Sequence, residues 1–193
     1  WISAAALAAH QIAINCAATS FMFAFGIGMA VCIRVGHAWG AGHYRRMRRI
    51  GLVGLGLSAS VMGVFGVLFM SAGEPIARLF IATPAVVVLT GQLLFVAAFF
   101  QIFDGLQVTA LSALRGLNDV RVPALVAALA YWIIAVPVGY LLAFPARWGA
   151  AGIWIGLAIG LGAAAVVLSW RFHRRTFWHG ARTELRLAAQ ASP

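Results

Sequence analysis

Five apolar runs, at residues 9–33, 50–72, 86–114, 122–144 and 149–170, are each long enough to cross about 30 Å of hydrocarbon as a helix. That feature leaves few folds open. In lipid, backbone amides must be satisfied within a helix or around a closed barrel. The runs here are continuous and lack the every-second-residue alternation of barrel strands. The chain therefore reads as an all-α integral membrane protein, a polytopic transmembrane helix bundle. Composition points the same way. Of 193 residues, 63% are hydrophobic and 9% charged, and the mean hydropathy is +0.96, outside the range of soluble domains.

The formal charge of +10 comes from 14 cations, all of them Arg. Their placement carries information about topology. Twelve fall in alternating connections: Arg34, Arg45, Arg46, Arg48 and Arg49 after the first run, Arg115 and Arg121 after the third, and Arg171, Arg174, Arg175, Arg182 and Arg186 after the fifth. The other two connections hold only Arg78 and Arg147. Because cytoplasmic loops carry the excess of cations, the Arg-rich side and the C-terminus of this multi-pass chain are expected in the cytoplasm. A nucleic-acid footprint would need a basic face on a soluble fold, so nucleic acid is not expected as a partner.

Trp1 opens the chain with no charged segment before it, so the sequence reads as a piece of a longer protein. Residues 1–8 are expected to be the end of a preceding helix, with 1–170 forming the bundle. Residues 171–193 are expected to form a cytoplasmic basic tail. There Arg is mixed with Trp178, Leu185 and Leu187, a pattern that fits either an amphipathic segment on an anionic surface or a disordered tail.

Breaker residues mark the boundaries. Gly36, Gly40 and Gly42 punctuate the exit of the first run, Gly73 and Pro75 are expected to end the second, and Asn118, Asp119 and Pro123 turn the chain after the third. Pro137 lies inside the fourth run and predicts a kink. Gly152, Gly156 and Gly160 form a four-residue stripe that predicts close helix packing. Cys16 and Cys32 are sixteen positions apart in one run, too far along a helix to pair, and read as small buried hydrophobes.

Asp104 is the sole acid inside an apolar run. A carboxylate at the centre of a membrane helix costs about 2.5–3.5 kcal/mol on insertion scales, so its retention points to ion or proton handling. It lies eleven residues from Arg115, about 16 Å along a helix and close to the midplane. Helical spacing puts Phe100, Gln101, Asp104 and Gln107 on one stripe. A second polar stripe, Gln11, Asn15 and Thr19 beside His10, is a candidate to face the same cavity or to act as hydrogen-bonding glue between helices. Phe21, Phe23, Phe25, Phe99, Phe100 and Phe103 are candidates for an aromatic cavity suited to organic cations or, equally, for lipid-facing surface.

Enzyme constellations are not evident. His10, His37, His43, His173 and His179 lack metal-ligand spacing, and Glu74, Asp104, Asp119 and Glu184 are scattered. A phosphate loop ending in Lys is excluded because the chain has no Lys. Glu74 and Asp119 sit at helix ends, where capping or a local Arg contact is the ordinary reading. No enzyme activity and no cofactor are expected; a sodium ion or proton is the expected coupling species, with sodium at Asp104 the one metal considered.

The stretch Gln101-Ile-Phe-Asp104-Gly-Leu-Gln107, with Leu114-Arg115-Gly116-Leu-Asn-Asp119 and Pro123, resembles the tenth helix and following loop of multidrug and toxic compound extrusion (MATE) transporters. Ala8-Ala9-His10-Gln11-Ile12-Ala13, then Arg34-Val35-Gly36 through Gly42, is similar to the eighth helix and its cytoplasmic exit. The resemblance implies helices eight to twelve of a twelve-helix antiporter that exports drugs or organic cations through a cleft between two bundles. It also implies a place in the bacterial inner membrane, an N-terminal bundle as partner and Asp104 as a cation-binding position. Phe100 stands where well-known members carry a tyrosine. Alternative readings are a flippase for lipid-linked substrates, which would call for a cationic cavity, and a membrane-embedded transferase, which would call for clustered His or Asp.

Overall fold

The computed structural model describes residues 4–191, with side chains over 4–177. Those residues form five long helices: α1 (Ala4–Gly40), α2 (Tyr44–Arg78), α3 (Pro84–Gly116), α4 (Arg121–Ala143) and α5 (Gly149–Ala191). There is no strand among them. All five contain a window long and apolar enough to cross a membrane.

The helices run past the apolar stretches, and two expectations change accordingly. Residues 4–8, expected to close a preceding helix, are the first turns of α1. Nothing in Ala4-Ala5-Ala6-Leu7-Ala8 breaks a helix, since alanine and leucine have the highest helix propensities. The helix expected to end at Trp170 continues to Ala191 for the same reason, with no Pro and a single Gly in residues 171–191 to interrupt it. The side chains of Trp178, Arg182, Leu185, Arg186 and Leu187 lie outside the described residues.

Prolines bend rather than stop their helices. Pro75 lacks the amide that would bond the Ser71 carbonyl, and the backbone departs from helical angles at Ala72 (φ −126°, ψ 21°) before one further turn to Arg78. The second helix is thus kinked at this point and not ended by Gly73 and Pro75. In α4 the predicted disturbance at Pro137 takes a definite form: Ala130–Ala135 wind as a π-helix immediately before it.

Two helix ends share one design. The Asn118 amide bonds the Arg115 carbonyl at 2.9 Å and the Asp119 amide bonds the Leu114 carbonyl at 3.0 Å, with Asn118 at φ 57°. This is a Schellman closure, in which a left-handed residue lets the last carbonyls of α3 find donors. Gly42 (φ 72°) does the same for α1. The closure at α3 aims Asp119 across the bundle.

α3 is the central helix, packed against α1, α2 and α5, while α4 packs on α5. Small residues set these distances, because apolar area alone does not drive helices together in lipid. The face of α1 carrying Ala9, Ala13, Ala17, Ser20 and Ala24 is buried. A β-carbon added at Gly66 would lie 2.9 Å from the Ala98 carbonyl oxygen, and one at Gly116 2.6 Å from that of Cys32. The stripe in α5 is a packing seam against α4: a β-carbon at Gly152 would lie 2.6 Å from the Ala143 nitrogen, and one at Gly160 2.9 Å from the Ala130 carbonyl oxygen.

Candidate functional site

Asp104 sits on the central helix, 8% exposed. Among the described residues no side chain hydrogen-bonds to it, and the ion pairs all lie elsewhere. Tyr131, on the π-helical stretch of α4, is close enough for its hydroxyl and the Asp104 carboxyl to interact electrostatically. No spacing or motif links these two side chains.

One turn away, Gln101 is fully buried. Its Nε2 donates to Ser20 Oγ on α1, and that hydroxyl donates in turn to the Ala17 carbonyl at 2.8 Å. The Gln101 Oε1 has no partner. Two acceptors, a carboxylate and an amide carbonyl, therefore share one face of α3 with no donor assigned to either. Unsatisfied buried acceptors are costly, and a cation, a proton or a water donor would each lower that cost.

Neighbouring groups fix the helix that carries this face. Ser58 Oγ on α2 donates to the Gly105 carbonyl at 3.0 Å, and a β-carbon at Gly105 would meet that same hydroxyl at 2.9 Å. On the other side, Phe100 meets Trp154 edge-on with ring centroids 5.9 Å apart. Trp154 Nε1 donates to His10 Nδ1 at 3.2 Å, so His10, Trp154 and Phe100 tie α1, α5 and α3 together one turn from Asp104. Gln107 is buried on the same helix.

The second polar stripe is not part of this arrangement. Gln11, Asn15 and Thr19 lie on the exposed face of α1; Thr19 Oγ1 bonds the Asn15 carbonyl at 2.8 Å and Gln11 Nε2 reaches Asn15 Oδ1 at 3.4 Å. The alanine and serine face of the helix, rotated away from the stripe, meets α3 instead. Nor do the six phenylalanines form one cavity. Phe99 and Phe103 line an apolar groove of about 530 Å³ between α3 and α5, Phe23 stacks near Phe65 at 5.2 Å, and Phe21 packs on Ala24, Met62 and Val108.

Residues that sequence reasoning passed over are Ser20, Ser58, Tyr131 and Trp154. Ser20 had a signal, its place on the small-residue face of α1. Tyr131 had a weaker one, a polar ring six residues before Pro137.

Asp119 and Glu74 resolve differently. Glu74 pairs with Arg78 one turn on, at 3.6 Å and well exposed, the local contact expected. Asp119 instead reaches the last helix, accepting from Arg171 Nε at 2.8 Å with Arg175 at 3.4 Å.

Five apolar helices around a buried, unpaired carboxylate define a polytopic α-helical membrane protein with a polar centre. The family model described as MatE matches residues 1–141. The chain belongs to that family, the MATE transporters. It is 46% identical over 180 residues to the multidrug resistance protein NorM of Burkholderia vietnamiensis, covering 91% of this chain and 39% of that protein. A probable multidrug resistance protein NorM of Pseudomonas putida is 41% identical over 192 residues, covering 95% and 42%. This chain thus spans about two fifths of the length of the relatives it matches, their C-terminal part. In fold it is similar to the crystal structure of the eukaryotic MATE transporter AtDTX14, with a TM-score of 0.82 at 21% identity over 92% of this chain and 41% of that one. It is also similar to an inward-facing multidrug resistance MATE family transporter, with a TM-score of 0.77 at 18% identity over 88% and 39%.

Proposed function

We propose that the chain is the C-terminal bundle of a cation-coupled multidrug exporter in which Asp104 takes the driving sodium ion or proton. The observation that carries this reading is the buried Asp104 carboxylate, without a hydrogen bond or ion pair among the described residues, one turn from the unpartnered Gln101 carbonyl. An acid in that setting is stable only with a captured proton or a bound cation, so its occupancy follows the ion gradient. Tyr131 and the Gln101 carbonyl tune that occupancy. The multidrug resistance proteins among its relatives support drugs or organic cations as the exported substrates.

Gln11, Asn15 and Thr19 support a cleft facing a second bundle. Three polar side chains on the exposed face of a membrane helix are poorly suited to acyl chains and well suited to a water-filled path. Alternating access then couples ion entry at Asp104 to substrate exit by rocking of this bundle against the N-terminal one. The excess of arginine at alternating helix ends supports a cytoplasmic C-terminus, in a bacterial inner membrane.

The test is flux. The full-length parent, reconstituted in proteoliposomes, is expected to move sodium or protons inward in exchange for substrate, and Asp104→Asn to abolish that exchange while leaving the protein folded. Unchanged exchange in the variant removes Asp104 from the mechanism.

A further inference from the structure

At the Arg-rich end of the bundle, α1 and α2 enclose a trench of about 420 Å³ whose rim carries Arg34, Arg46 and Arg49. Below the rim the walls are apolar, with Ile27 and Val31 from α1 and Leu57 from α2. Leu57 lies eleven residues below Arg46, about 16 Å along the helix, so the trench reaches from the headgroup layer well into the leaflet. Val31 and Gly54 form its buried floor. Any side chain at Gly54 would overlap the Val31 methyl, so the glycine is what lets the two helices close beneath the trench. A second cavity of about 640 Å³ adjoins it, sharing Arg34, Arg46 and Ile50 and adding His37 and His43.

None of the ion pairs among the described residues involves these three arginines. Three guanidiniums from two helices thus line one cavity with no carboxylate among the described residues paired to them. Like charges so placed repel unless an anion sits among them, and planar guanidinium groups match phosphate oxygens in pairs. The anion at this depth in a membrane is a lipid phosphate. The trench beneath it is shaped and greased for the acyl chain of the same molecule, and basic pockets between spans at the cytoplasmic side are the kind that hold anionic headgroups.

We propose that this trench is a binding site for one anionic glycerophospholipid, its phosphate held by Arg34, Arg46 and Arg49 and an acyl chain lying along Ile27, Val31 and Leu57. A docked lipid would brace the α1–α2 corner. Gly36 approaches the end of α3 at Gly116, and Asp104 lies about 18 Å deeper along that helix, so the site is separate from the ion site. It rests only on the membrane fold, and its failure leaves the efflux reading standing.

The test is lipid retention by the purified full-length protein. After delipidation it is mixed with equal amounts of dioleoyl phosphatidylglycerol and dioleoyl phosphatidylcholine, and bound lipid is counted by native mass spectrometry. The wild type is expected to keep phosphatidylglycerol at least tenfold over phosphatidylcholine. The combined R34Q, R46Q and R49Q variant is expected to lose that preference. The combined R34K, R46K and R49K variant, which keeps the charge, is expected to recover part of it and shows that loss is not misfolding. Leu57→Arg, which obstructs the acyl path and leaves the rim intact, is expected to lower retention as well. Equal retention of the two lipids by the wild type, unchanged preference in the glutamine variant, or displacement of phosphatidylglycerol by millimolar inorganic phosphate alone would each overturn the proposal, the last by making it a site for free phosphate.

Discussion

Asp119, at the end of the central helix, accepts a 2.8 Å hydrogen bond from Arg171 Nε fifty-two residues away on the last one. The Schellman closure at Asn118 presents the carboxylate, and its side chain is only 6% exposed. Charged hydrogen bonds of this kind contribute about 2 kcal/mol. Asp119→Asn is expected to destabilise the full-length protein by about that much, with Arg171→Gln costing similarly and the double variant costing clearly less than the sum. Thermal unfolding in detergent measures all three. Strict additivity would show that the two residues do not hold each other.

The seam between α4 and α5 depends on absent side chains. A β-carbon at Gly156 would lie 2.8 Å from the Ala135 carbonyl oxygen, inside the π-helical stretch. Gly156→Leu must push the two helices apart, and overpacking of this kind costs about 1–3 kcal/mol. Gly56→Ala is the control, since nothing lies within 4 Å of a β-carbon there. The expected result is a lowered melting temperature and poor yield for Gly156→Leu, with Gly56→Ala unchanged or slightly more stable. Equal behaviour of the two variants contradicts the seam.

Much of this architecture was legible in the residues, and the unread part has a common cause. Apolar run length gave the five long helices, because it is a one-dimensional quantity along the chain. Which face meets which neighbour is not. In water, hydrophobicity would pick the inward face of α1. In lipid both faces are apolar, so the decision falls to side-chain size, and Ala9, Ala13, Ala17 and Ser20 turn inward while Gln11, Asn15 and Thr19 turn out. Ser20 against Gln101 and Trp154 against His10 follow from that rotation and have no signature of their own. The π-helical stretch is similar: Pro137 announces a disturbance, but whether the helix bends or gains a residue per turn depends on how α5 packs beside it.

Tyr131 gives that stretch a role in the proposed mechanism. With its hydroxyl near Asp104, Tyr131→Phe removes a polar neighbour without changing the ring. The expected outcome is a shift of about fivefold in the cation concentration for half-maximal exchange, about 1 kcal/mol in binding free energy. Stability should barely move. Ion-dependent exchange in proteoliposomes measures it, and an unshifted dependence excludes Tyr131 from the ion site.

Asp104 separates stability from function. An unpaired carboxylate at 8% exposure lowers the stability of the fold that contains it. Asp104→Asn keeps the shape, removes the charge and adds a donor within one turn of the unpartnered Gln101 oxygen. In buffer without sodium the variant is therefore expected to melt at the same temperature as the wild type or higher, although it no longer couples exchange to an ion. Adding sodium discriminates further. A ligand bound only by the folded state stabilises by mass action, about 2.7 kcal/mol at a hundred times its dissociation constant. If sodium is the coupling ion, it should raise the wild-type melting temperature in a saturable way and leave Asp104→Asn unmoved, with potassium inert toward both. If protons are, sodium should leave the wild type unmoved, and the wild type but not Asp104→Asn should gain stability as the pH falls, by the same mass action with the proton as the ligand. A wild type indifferent to both sodium and pH, with the variant melting well below it, would mean that the carboxylate holds the bundle together and does not read an ion.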